Sequence, residues 1–134
     1  MITSSTHPDF SAMVEERASA SKACAMLKIL ANEDRLLILC QLMQGKKNVG
    51  ELEQLIGIRQ PTLSQQLTVL REEKLVSTER KGKYIFYSLA SPEAIQIMLT
   101  LFELYCQDKV AHTHQNVNSI KDDKIIEKLF ENRN

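Results

Sequence analysis

Thiols are the most reactive groups in this 134-residue chain, and there are three, at Cys24, Cys40 and Cys106. Three is too few for a disulfide scaffold, and no CxxC pair supplies the usual zinc or redox spacing. A single cysteine is either a small apolar filler or a nucleophile, and residue type alone leaves both readings open. Cys24 lies in the alanine-rich stretch SASKACAML and is read as interface packing. His112 and His114, near Cys106 and Asp108, are donor types that zinc accepts, but they fall in HTHQNVN, where helical patterning stops and convergence would be lost. They are read as ordinary tail residues, and neither a metal ion nor a cofactor is expected. No acid pair, phosphate-binding loop or catalytic base accompanies the thiols, so the chain is read as a non-enzyme rather than a thiol peroxidase or sulfurtransferase.

The second chemistry is recognition of phosphate and bases. The formal net charge is zero, yet between Arg59 and Lys83 six basic residues face three acidic ones, which leaves an acidic balance on the rest of the chain. Local excess, not net charge, is what attracts a phosphate backbone. Gln and Ser side chains bond base edges or phosphates, and Arg and Lys neutralise phosphate. The DNA-binding candidates are therefore Arg59, Gln60, Thr62, Ser64, Gln65, Gln66 and Arg71, with Arg80, Lys81 and Lys83 on a following hairpin.

These residues need elements that present them together. In IRQPTLSQQLTVLREEKL, Leu63, Leu67 and Leu70 recur at helical spacing and leave the polar candidates largely off the apolar stripe, while Pro61 suits a first helical turn. VGELEQLIG before it predicts a short helix with Leu52, Leu55 and Ile56 on a core and Gly57 as terminator. LVSTERKGKYIFYSLAS predicts a β-hairpin turning at Lys81, Gly82 and Lys83. Further helices are predicted over 11–31, from Asn32 to a stop at Gly45, and from Ser91 and Pro92 through Cys106. The fold class is mainly α with a β-hairpin wing, a winged helix-turn-helix. Its long first and last helices carry more apolar surface than a small core can use, which predicts a homodimer interface.

The run LKILANEDRLLILCQLMQGKKNVGELEQLIGIRQPTLSQQLTVLREEKLVSTERKGKYIFYSLAS, about half of the chain, resembles the ArsR/SmtB family of dimeric bacterial repressors. The resemblance implies an inducer-sensitive grip on double-stranded operator DNA and terminal helices that pair across a two-fold axis. Metal-sensing relatives place thiolates on the short helix that here reads VGELEQLIG, or carboxylates and histidines on the last helix, which here offers Glu93 and Glu103 without an imidazole. The placement of Cys40 in LILCQL and Cys106 in LYCQ is instead similar to the BigR/SqrR branch, whose paired cysteines respond to reactive sulfur species. That similarity implies that Cys40 and Cys106 are a redox switch, bridged as a disulfide or polysulfide when DNA is released. A metal ion or another ligand is the alternative inducer, and a protein-interaction module without DNA is the alternative class.

The composition, 43% hydrophobic and 25% charged, is that of a folded domain, expected over residues 11–112 between a flexible 1–10 and a 113–134 tail with a short helix over 122–130. No apolar run reaches membrane-spanning length, and MITSSTHPDF lacks the basic start and apolar core of a secretory signal, so a cytoplasmic location without a membrane partner is expected.

Overall fold

Leucine spacing builds most of the core. The computed structural model describes residues 8–113, with side chains through residue 106. The helix predicted over 11–31 is two helices, α1 Ser11–Glu15 and α2 Arg17–Leu30. Glu16 leaves helical geometry between them at φ −105° and ψ 89°, and its carboxylate accepts the Ser19 hydroxyl at 3.1 Å. The VEER stretch there is wholly exposed, so no packing holds one helix through it. Asn32 starts α3, Glu33–Leu42, by accepting the Arg35 N–H on its side-chain oxygen at 3.0 Å, with Glu33 and Asp34 at the positive end of the helix. Ile38, Leu39 and Leu42 bury its inner face.

Between α3 and the next helix lies a two-residue strand, β1 Lys47–Asn48. Asn48 is also the cap of α4, Val49–Ile56, and it exchanges bonds with Glu51 in a capping box, both at 2.9 Å. Gly57 ends α4 at φ 82°, a left-handed conformation that glycine adopts without penalty. Leu52 is fully buried, but Leu55, expected on the core, is 54% exposed. The core takes the side shared by Val49, Leu52 and Ile56, and Leu55 lies about 100° round the helix from Ile56.

Helix α5, Thr62–Glu72, buries Leu63, Leu67 and Leu70 as their spacing predicts. The hairpin follows as β2 Val76–Lys81 and β3 Tyr84–Leu89, with Lys81 paired to Tyr84 and Gly82 at φ 63° in the turn. β1 adds to the outer edge of β3, with Lys47 opposite Tyr87, so the sheet is antiparallel in the order β1-β3-β2. Ser91 caps α6, Pro92–Thr113, by accepting the Ala94 N–H at 3.1 Å. Ala94, Ile95 and Met98 of α6 join the core leucines in one cluster.

The result is a winged helix-turn-helix: α4 and α5 form the motif and β2–β3 the wing. Val14 on α1, Leu27 on α2, and Leu104 and Tyr105 on α6 are all more than half exposed, so the terminal helices carry an apolar surplus that this chain alone does not bury. α6 runs on past Cys106 through His112 to Thr113, beyond where the sequence pattern ended it, while the helix predicted over 122–130, the rest of the tail from His114 on and residues 1–7 lie outside the described residues.

Candidate nucleic-acid interface and thiol pair

The buried leucine stripe of α5 determines what its opposite face shows. Ser64, Gln65, Thr68 and Arg71 are exposed, and Thr62 is half-buried at the helix start. Pro61 has no side-chain oxygen with which to cap α5, and the preceding residue supplies one: Gln60 Oε1 accepts the Ser64 N–H at 3.2 Å and also the Ser64 hydroxyl. The Thr68 hydroxyl donates to the Ser64 carbonyl at 2.8 Å. Gln60, Ser64 and Thr68 thus form one ordered polar strip along the exposed face. Arg59 stands exposed before the helix, and Arg71 lies in its last turn, where a cation is favoured by the helix dipole.

Gln66 differs from the expectation of an outward side chain. It sits on the flank of the stripe next to Leu67, it is half-buried, and its Oε1 accepts from Arg35 Nη1 at 2.9 Å. One helical step of about 100° from Gln65 is enough to move it from the open face to the shoulder of the core.

Arg80, Lys81 and Lys83 are exposed on the wing. Arg80 Nε donates to the Gly82 carbonyl at 3.3 Å, and Lys83 Nζ lies 5.4 Å from the centre of the Tyr84 ring. Pairing of β1 with β3 brings two further cations to the wing that sequence reasoning missed, Lys46 and Lys47. Lys46 pairs with Glu79 at 3.5 Å and lies 5.6 Å over the Phe86 ring. Two residues of strand carry no periodicity that would have revealed them.

All three cysteines, Cys24 among them, are free thiols with exposed surface. Cys40 lies in the last turn of α3 and Cys106 lies on α6. Protein around Cys40 still removes enough water to push its thiol pKa above the ordinary 9.0, and the charge of Cys106 adds to the rise. Cys40 and Cys106 are therefore within electrostatic reach of each other. Among the described residues no three His, Cys, Asp or Glu side chains converge as around a metal ion. The side chains of Asp108 and His112 are not among those described.

A profile of the bacterial regulatory protein, arsR family, matches residues 32–78. The chain is 48% identical over 93 residues to the biofilm growth-associated repressor of Xylella fastidiosa, an alignment that covers 69% of this chain and 82% of that protein. The crystal structure of the transcriptional repressor BigR from Xylella fastidiosa superposes with a TM-score of 0.65 at 47% identity, covering 67% of this chain and 92% of that one. Reduced HlyU from Vibrio cholerae superposes with a TM-score of 0.65 at 40% identity, covering 69% of this chain and 97% of that one.

Proposed function

Because the chain belongs to the ArsR family of bacterial regulatory proteins, we propose that it is a sequence-specific repressor released from operator DNA when reactive sulfur species bridge Cys40 to Cys106. Its relatives are DNA-binding regulators and not enzymes, and we assign DNA recognition to α5 and the wing. A helix the size of α5 fits a major groove about 12 Å wide, and the hairpin reaches the flanking backbone or minor groove. We assign groove and phosphate contacts to Arg59, Gln60, Thr62, Ser64, Gln65 and Arg71, and phosphate contacts to Arg80, Lys81 and Lys83. Two copies pair through α1, α2 and α6, whose exposed apolar side chains are the material for such an interface.

What supports the sulfur switch is the electrostatic interaction between the thiols of Cys40 and Cys106, which lie far apart in the chain. Desolvation and the charge of Cys106 raise the pKa of the Cys40 thiol, so the first attack is assigned to Cys106. A persulfide donor RSSH transfers its outer sulfur to Cys106, leaving RSH and a Cys106 persulfide. Cys40 then attacks the inner sulfur, the S–S bond to the outer sulfur breaks, and the Cys40 proton leaves with it as hydrogen sulfide. The sulfane sulfur has been reduced and the two thiols oxidised to a disulfide. A direct disulfide requires Cβ atoms about 3.5–4.5 Å apart, so closure ties α3, which leads into the helix-turn-helix, to α6 of the dimer scaffold.

Intact-mass measurement and peptide mapping of donor-treated protein, alongside DNA binding, test this reading. Cys40→Ser and Cys106→Ser should each abolish release, Cys24→Ser should respond normally, and the Cys40→Ser chain should accumulate persulfide on Cys106. A 100-fold loss of DNA affinity on bridging corresponds to about 2.7 kcal/mol of coupling. Full release in the Cys40→Ser, Cys106→Ser double variant would overturn the switch in favour of a metal or another ligand.

A further inference from the structure

We propose that Arg35 is a positioning residue that sets the rotation of α5, and that Gln66 is its anchor on that helix and not a reader of bases. Three elements meet at this one guanidinium. Arg35 Nε donates to the Ile29 carbonyl at 2.7 Å and Nη2 to the Lys28 carbonyl at 3.3 Å, both in the last turn of α2. Nη1 donates to Gln66 Oε1 on α5 at 2.9 Å. The backbone N–H of Arg35 is itself held by Asn32, so the residue is fixed at its root as well as its tip.

Each bond has a physical reason. The final carbonyls of a helix lack intrahelical donors and sit at the negative end of its dipole, so a cation there is favoured. A guanidinium is a planar fork of donors with no acceptor, which fixes the directions of all its bonds together. It also settles the orientation of the Gln66 amide, since only the oxygen can face a group that solely donates.

That orientation removes Gln66 from base reading. Bidentate recognition of adenine by glutamine uses the amide oxygen and the amide nitrogen together. The Gln66 oxygen is engaged by Arg35, whereas Gln65, one position earlier, is exposed on the open face. Burial of Leu63, Leu67 and Leu70 holds α5 to the core, but apolar burial is non-directional and permits small rotations. The Arg35–Gln66 bond adds the direction, and it ties α5 to α2, one of the helices assigned to the dimer interface. Two recognition helices must enter grooves about 34 Å apart, so an error in their rotation acts on both half-sites.

The inference rests on α5 being the DNA-reading helix and is independent of the thiol pair. The test uses the full reduced chain and the duplex that wild-type protein enriches from random-sequence DNA, compared with an unselected duplex. Gln66→Ala should weaken binding to the selected duplex about tenfold, the order of one hydrogen bond to a charged group. It should leave binding to the unselected duplex and the salt dependence unchanged. In an Arg35→Ala background, Gln66→Ala should have no further effect, because the bond is already gone. Gln66→Glu should bind as wild type, since a carboxylate accepts the same bond from Arg35.

Loss of binding to both duplexes by Gln66→Glu would show a carboxylate facing phosphate and overturn the proposal. Equal weakening of both duplexes by Gln66→Ala would reduce the Arg35–Gln66 bond to a structural one and overturn it as well. If the wild-type chain enriches no duplex at all, the reading of α5 itself fails, an outcome distinct from the other two.

Discussion

Single side chains show how environment sets chemistry. Burial and the neighbouring Cys106 both favour the neutral thiol of Cys40, so it binds its proton more tightly in the folded chain than in the unfolded one. Its contribution to stability is complete below the ordinary value of 9.0 and is lost as the pH rises through its higher folded value. Iodoacetamide should therefore label Cys40 more slowly in native protein than in urea at pH 7 to 8, and Cys106→Ser should move the native labelling profile to lower pH. Native labelling as fast as unfolded labelling would contradict this. Lys74 has the opposite character, a side chain in a backbone conformation that penalises it. It sits at φ 66° after α5, where the Leu75 N–H closes on the Leu70 carbonyl at 2.9 Å. A non-glycine residue there costs about 1–2 kcal/mol, and the extra freedom of glycine in the unfolded chain offsets about 0.5–1 kcal/mol of that. Lys74→Gly should stabilise the protein by about 0.5–1 kcal/mol, read as a higher urea midpoint; a lower midpoint would contradict the strain.

At the scale of elements, one short segment serves two structures. Lys47 and Asn48 pair with Tyr87 and Phe86 of the wing, and Asn48 also caps α4. The wing and the helix-turn-helix are thereby joined at a residue whose side chain and backbone both participate. Asn48→Ala leaves the Glu51 N–H without its acceptor and should cost about 1 kcal/mol, whereas Asn48→Asp retains the cap. Chemical denaturation should show a lower midpoint with unchanged slope for the alanine variant alone; equal midpoints for all three chains would show that the cap contributes nothing.

At the scale of the whole molecule, the wing carries a cluster of cations and the terminal helices carry most of the strongly exposed apolar side chains. The cations of the wing are on the hairpin, and the unburied Val14, Leu27, Leu104 and Tyr105 are on the terminal helices. Leu104→Glu places a charge in the proposed interface and should yield monomer in sedimentation equilibrium, with operator binding lost in parallel. A stable dimer would remove α6 from the interface. Neutralising Arg80, Lys81 and Lys83 should leave the dimer intact and flatten the dependence of affinity on salt, by about 0.9 in log–log slope for each phosphate that is no longer neutralised. An unchanged slope would show that these side chains do not meet the phosphate backbone.

Local order was legible wherever its cause was local. The i, i+4, i+7 recurrence of Leu63, Leu67 and Leu70, the caps at Asn32 and Ser91 and the turn at Gly82 each arise from interactions within a few residues, and periodicity or residue type exposes such interactions in the chain itself. The break at Glu16 was missed because helical propensity carries across it, and only the lack of packing on either side interrupts the helix. Tertiary structure alone decided the rest. β1 exists because β3 offers an edge, Leu55 is exposed because the core chose the Val49 and Ile56 side, and Gln66 turns inward because Arg35 reaches it from α3. The electrostatic interaction of Cys40 with Cys106 belongs to the same class. Each depends on where two distant segments come to rest, and that is set by the burial of the whole chain, which no local pattern encodes.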